Sequence, residues 1–154
     1  MAVFSNIACC VSLSENPDDL AQYVNEMVKQ NEARLILIHV APDSVAMVRR
    51  QSEYVIDSLV EDVRQKNKAA FDEYIQKHFA GIEATVVYAE GNMDSKLLEI
   101  VDRYCADLIV IGSMSTKGLL GGLFNHSSEN IIGRTRVPVL VVPNELSLEC
   151  TPDF

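Results

Sequence analysis

The apolar residues of this chain fall into short unbroken runs, separated by longer stretches with helical spacing. Asn6 to Val11 and Leu35 to Val40 read as strands buried on both faces, and Ala84 to Ala89, Leu108 to Ile111 and Val137 to Val142 read as three further strands. Between the first two runs, Leu20, Val24, Met27 and Val28 recur at spacings of three and four, predicting a helix to about Gln30. Asn16 reads as its N-cap, with Pro17 at the first helical position. A long amphipathic helix is predicted from about Val48 to Phe79, with Val55, Ile56, Leu59, Val60, Val63, Ala70, Phe71, Tyr74 and Ile75 on one face. Residues 41–54 carry the least regular pattern. Asn92 or Asp94 caps a further helix bearing Leu97, Leu98, Val101 and Tyr104.

The stretch Leu108 to Val142 organises the rest. Its first apolar run breaks at Gly112, and a loop of small residues follows. A helix runs from about Asn125 to Ile132, closed by Gly133, and the last strand follows. The alternation βαβαβαβαβ predicts an α/β fold, a doubly wound five-stranded parallel sheet in a single domain. That domain is expected over residues 1–143, with 144–154 as a C-terminal tail. Ligands of such folds bind beyond the carboxyl ends of the strands. Val11–Ser14, Val40–Pro42 and Gly112–Ser115 therefore surround one crevice, facing a helix start at Asn125–Ser128.

Composition narrows the function. The chain has 154 residues, and 22 acids against 13 bases leave a net charge of −9. Such a surface repels phosphate backbones, so no nucleic-acid partner is expected. No apolar stretch approaches the roughly 20 residues of a membrane span, and the N-terminus lacks a signal-like core. The reading is cytoplasmic, with no membrane partner. Cys9 and Cys10, adjacent in a strand, point to opposite faces, and with Cys105 they read as small core residues. Cys150 falls in the tail. There is no CxxC pair and no metal-ligand spacing.

With these residues in place, the chain resembles the universal stress protein family over nearly its whole length. The resemblance is carried by Ile7 to Asn16, by Leu37-Ile38-His39-Val40 and by Gly91 before a helix. Asp107 to Ser113 and the closing Val137-Pro138-Val139-Leu140-Val141-Val142 complete it. It implies a Rossmann-like fold of strand order 3-2-1-4-5, a role in stress response, and a homodimer paired through the last strand at Val137, Val139, Leu140, Val141 and Val142. A regulatory protein partner is a further implication.

Nucleotide-binding members of that family carry G-x2-G-x9-G-S/T after the fourth strand. There glycines let backbone approach phosphates, and the last pair offers donors at a helix N-terminus. Here those positions hold Gly112, Ser115, Asn125 and His126, so one glycine conforms. The acid that faces the nucleotide after strand one is replaced by Ser12, and Val40 matches the residue against the adenine. Ser127 and Ser128 still offer hydroxyls. Two readings follow: a stress-response module whose crevice binds nucleotide weakly or not at all, and a sensor that takes ATP or AMP as cofactor through a non-standard loop. His126 reads first as a polar residue in a helical first turn, and His39 as a satisfied core histidine. No nucleophile elbow or triad is present, so no enzyme is expected, slow nucleotide hydrolysis being the remaining alternative.

Overall fold

The computed structural model describes residues 2–13, 16, 19–112 and 127–143. Its strands are β1 (Asn6–Cys10), β2 (Arg34–Ala41), β3 (Ala84–Glu90), β4 (Leu108–Gly112) and β5 (Val139–Val142). They form one parallel sheet in the order β3-β2-β1-β4-β5, as anticipated. The helices are α1 (Leu20–Asn31), α2 (Ser44–Gln51), α3 (Asp57–His78), α4 (Met93–Arg103) and α5 (Ser127–Arg134).

Alternation along the central strands splits the core in two. Ile7, Cys9, Leu35, Leu37, Leu108 and Val110 pack with Leu20, Val24 and Val28 of α1 and Phe71 of α3. Ala8, Cys10, Ile36, Ile38, Ile109 and Ile111 pack with Leu97, Ile100 and Val101 of α4 and Ile131 of α5. Cys9 and Cys10 thus sit on opposite faces, both buried. Burial pushes the Cys10 thiol up to about 12 and the Cys9 thiol higher, so neither supplies a reactive thiolate.

Four local expectations are corrected. The long helix from Val48 is two helices, because a local cap and a local turn compete with continuous helix. Asp43 accepts from the Val45 and Ala46 N–H groups at 2.8 and 3.1 Å and starts α2. The Ser52 hydroxyl accepts from the Tyr54 N–H at 3.3 Å, after Ser52 has turned extended. Of the expected core face, Val60 and Phe71 are buried, whereas Val55, Ile56, Leu59 and Ala70 are exposed. Gly133 is not a C-cap. It lies inside α5, which the Thr135 N–H closes on the Ile131 carbonyl. The last strand begins at Val139, two residues late, because Pro138 has no N–H to donate, though its carbonyl accepts from Ile109.

Cys105 is exposed rather than part of the core. It takes φ +51 where α4 ends: its N–H donates to the Asp102 carbonyl and that of Ala106 to Val101, the hydrogen-bond pair of a Schellman cap. Glycine signals this cap in a sequence, so its absence hid it. A left-handed non-glycine costs about 1–2 kcal/mol, partly offset by glycine's greater unfolded entropy. Cys105→Gly should therefore raise stability by about 0.5–1 kcal/mol in urea denaturation. A loss of stability would mean that the thiol has a favourable contact here.

Candidate functional site

The crevice begins where β1 and β4 leave the sheet. Cys10 stands opposite Ile111, which brings Val11 level with Gly112. The Val11 N–H donates to the Ile38 carbonyl at 2.8 Å. In a continued parallel ladder the Val11 carbonyl would accept from the Val40 N–H. It accepts instead from His39 Nδ1 at 2.7 Å. A side chain thus makes the next rung, and β1 ends at Cys10 rather than at Val11. Beyond it, the Ser12 N–H donates to Asn16 Oδ1 at 2.9 Å, and Asn16 Nδ2 donates to the Ser12 carbonyl. Asn16 is therefore not the helix cap expected of it; its amide closes the loop, and α1 starts at Leu20 behind Asp19.

His39 is buried, with Phe71 of α3 and Tyr88 of β3 at ring separations of 5.5 and 6.0 Å. It is the satisfied core histidine anticipated. Burial lowers its pKa from the ordinary 6.5, against the opposing effect of the Val11 carbonyl. The folded chain then binds fewer protons at this site than the unfolded chain. Stability from a neutral His39 is fully present above pH 6.5 and is lost as pH falls from there through the folded value. The expected result is a decline in the urea midpoint below about pH 6.5 that is reduced in His39→Asn. Equal declines in both proteins would assign the acid sensitivity to other groups.

Along the same edge of the sheet lie the ends of β2 and β3. Glu90 accepts from Arg64 Nε at 2.8 Å and from the Ser44 N–H at 3.2 Å, and the Tyr88 hydroxyl lies 3.4 Å away. Burial alone would raise the Glu90 carboxyl; the bonds from Arg64 and Ser44 outweigh it and hold the group below its usual range. The Gly91 N–H donates to the Ala41 carbonyl at 2.9 Å, and Gly91 has φ +129, a conformation that favours glycine. At the start of α2, carboxylates of Asp43 and Glu90 already accept from the Ser44, Val45 and Ala46 N–H groups. That helix start is thereby supplied with negative charge from within the chain and repels a phosphate.

Comparison with known proteins identifies the scaffold. The model of the family described as "Universal stress protein family" matches residues 4–143. The chain belongs to this family. Universal stress protein Sll1654 of Synechocystis sp. is 28% identical over 141 residues, covering 92% of this chain and 87% of that protein. The solved structure of hypothetical protein MJ0577 has a TM-score of 0.73 at 20% identity, covering 95% of this chain and 100% of that one. That of the universal stress protein from Archaeoglobus fulgidus in complex with dAMP has a TM-score of 0.57 at 15% identity, with 91% and 98% covered. Both share the Rossmann-like α/β fold.

Within this universal stress protein fold, the expected crevice residues distribute as follows. Ser12 and Gly112 are half-buried at the ends of adjoining strands, and Val40 is half-buried near the end of β2. Ser127 and Ser128 open α5. Ser115, Asn125 and His126 lie outside the described residues, as does Cys150. Of the expected dimer residues, Val137, Val139 and Val141 are half-buried against the α4 side of the core and Val142 is buried on the other side. Leu140 is 37% exposed. Sequence reasoning missed Asn16 as a loop clamp and Glu90 as the carboxylate facing α2. The signals were a polar side chain beside a strand end and an acid immediately before Gly91. Among the described residues no three His, Cys, Asp or Glu side chains are grouped to hold a metal, and no helix is long and apolar enough to cross a membrane.

Proposed function

We propose that this universal stress protein is a cytoplasmic, homodimeric module of the stress response that acts by interaction rather than catalysis. Its crevice binds adenine nucleotide weakly or not at all. The observation that carries the reading is the residue set at the family's phosphate positions, Gly112, Ser115, Asn125 and His126, where one glycine remains. A Cβ at positions 115 and 125 crowds a phosphate that needs close backbone approach. Ser12 in place of an acid removes a partner for the nucleotide, and Val40 with Gly112 keeps its match.

The second reading is a sensor that binds ATP or AMP through a non-standard loop. It is favoured by the Archaeoglobus fulgidus relative in complex with dAMP and by hydroxyl residues, Ser127 and Ser128, at the start of α5. Titration calorimetry with AMP, ADP and ATP, with and without Mg²⁺, separates the two. The first reading expects Kd values weaker than about 100 µM; micromolar binding would establish the second. If binding is found and Ser127→Ala leaves it unchanged, the phosphates lie elsewhere.

The dimer would form through β5, an edge strand whose outer backbone groups invite pairing, with Leu140 exposed on it. Light scattering is expected to give a dimer at micromolar concentration, and Leu140→Asp to shift it toward monomer.

A further inference from the structure

We propose that His39 is the positioning residue of the crevice: its Nδ1–H sets the Val11 carbonyl and, through it, the backbone that presents Ser12. The inference deepens the reading of the crevice given above and rests on it for what Ser12 faces. Three observations carry it. The imidazole replaces a main-chain rung: the Val11 N–H is held by Ile38, and its carbonyl is held by His39 at 2.7 Å. A carbonyl has no proton to give, so Nδ1 is the donor and the tautomer is fixed.

The ring is also gripped from two sides. Phe71 of α3 and Tyr88 of β3 stand against it at 5.5 and 6.0 Å, so packing from elements outside the loop bears on its direction. Of its two ring contacts among the described residues, Tyr88 is the titratable one. Lastly, position 39 lies on the same sheet face as Leu35 and Leu37, both buried in an apolar cluster. Packing alone would be met by leucine here. A leucine would leave the Val11 carbonyl without its partner, at the turn where the chain departs toward Ser12 and Asn16.

Histidine therefore links the seating of α3 to the loop. α3 holds the ring through Phe71, the ring holds Val11, and the Asn16 amide holds Ser12 on the next residue. Loop position at the crevice is thus coupled to the seating of α3.

The test is amide hydrogen exchange of the intact protein by NMR, in the parent and in His39→Asn, His39→Gln and His39→Leu. Asparagine places an N–H near Nδ1, glutamine near Nε2, and leucine places none. The readout is exchange at Val11 and Ser12 relative to Leu37 and Ile109 in the core. His39→Leu and His39→Gln should accelerate Val11 and Ser12 by about tenfold relative to the core pair, with His39→Asn within about threefold of the parent. Should His39→Leu fail to fold, the glutamine and asparagine pair decides. A uniform change across loop and core, or asparagine no better than glutamine, would overturn the proposal. The rates are read without nucleotide, so they decide the role of His39 whether or not titration with AMP shows binding.

Discussion

Ser115→Gly, Asn125→Gly and His126→Ser, made together, are expected to raise the affinity for AMP by about 100-fold. The three positions are those at which the chain departs from the family's phosphate loop. Glycine at the first two lets backbone N–H groups approach phosphate oxygens, and serine at the third adds a hydroxyl donor beside the start of α5. A hydrogen bond to a charged oxygen contributes about 1.5–3 kcal/mol. Recovering one or two such bonds therefore amounts to about 3 kcal/mol, the origin of the 100-fold figure. Calorimetric titration of parent and variant under one buffer condition measures it. An unchanged affinity would show that those three side chains are not what keeps phosphate out. The internal carboxylates Asp43 and Glu90 at α2 would then be the next group to question.

Phe71→Ala should cost about 3–5 kcal/mol of folding stability, a large share of the roughly 5–15 kcal/mol typical of a domain. Phe71 is 1% exposed and, with Val60, is one of two buried residues on a helix of 22 residues. α3 is otherwise attached by half-buried contacts such as Tyr74 and Ile75 and by the Arg64–Glu90 bond. Removing the ring leaves a cavity beside His39 and frees the imidazole on one side. Urea unfolding gives the size of the effect. Ala70→Ser, at the exposed neighbouring position, is the control and should stay within about 0.5 kcal/mol. A cost below about 1 kcal/mol for Phe71→Ala would mean that α3 is not anchored through this residue.

The fold was legible because its strongest signals are those of strands buried on two faces. Runs such as Leu108 to Ile111 have no polar side to turn to water, and they pair in the order expected. Segments settled by competing local bonds were not legible. Asp43 starts a helix inside a segment of no regular pattern, Ser52 interrupts a helical period that resumes after it, and Pro138 delays β5 without altering its apolar run. Cys105 and Glu32 hold left-handed positions where glycine would have announced a helix end. At the crevice, the residue types at the phosphate positions could be read by laying the family's motif on the chain. Asn16 could not be read correctly, because an asparagine before a proline fits a helix cap as well as it fits a clamp on Ser12. His39 was legible as a core histidine, but its bond to Val11 depends on strand register, which the apolar pattern does not carry.

The most direct measurement of the central claim is the nucleotide content of protein purified without added nucleotide. Acid extraction and chromatography of the supernatant give it per mole of chain, and crystallographic density beside Gly112 reports on the same material. A crevice with one conforming glycine predicts far less than one adenine nucleotide per chain and none ordered next to Gly112. Stoichiometric AMP or ATP, with its phosphates seated between Gly112 and Ser127, would contradict it.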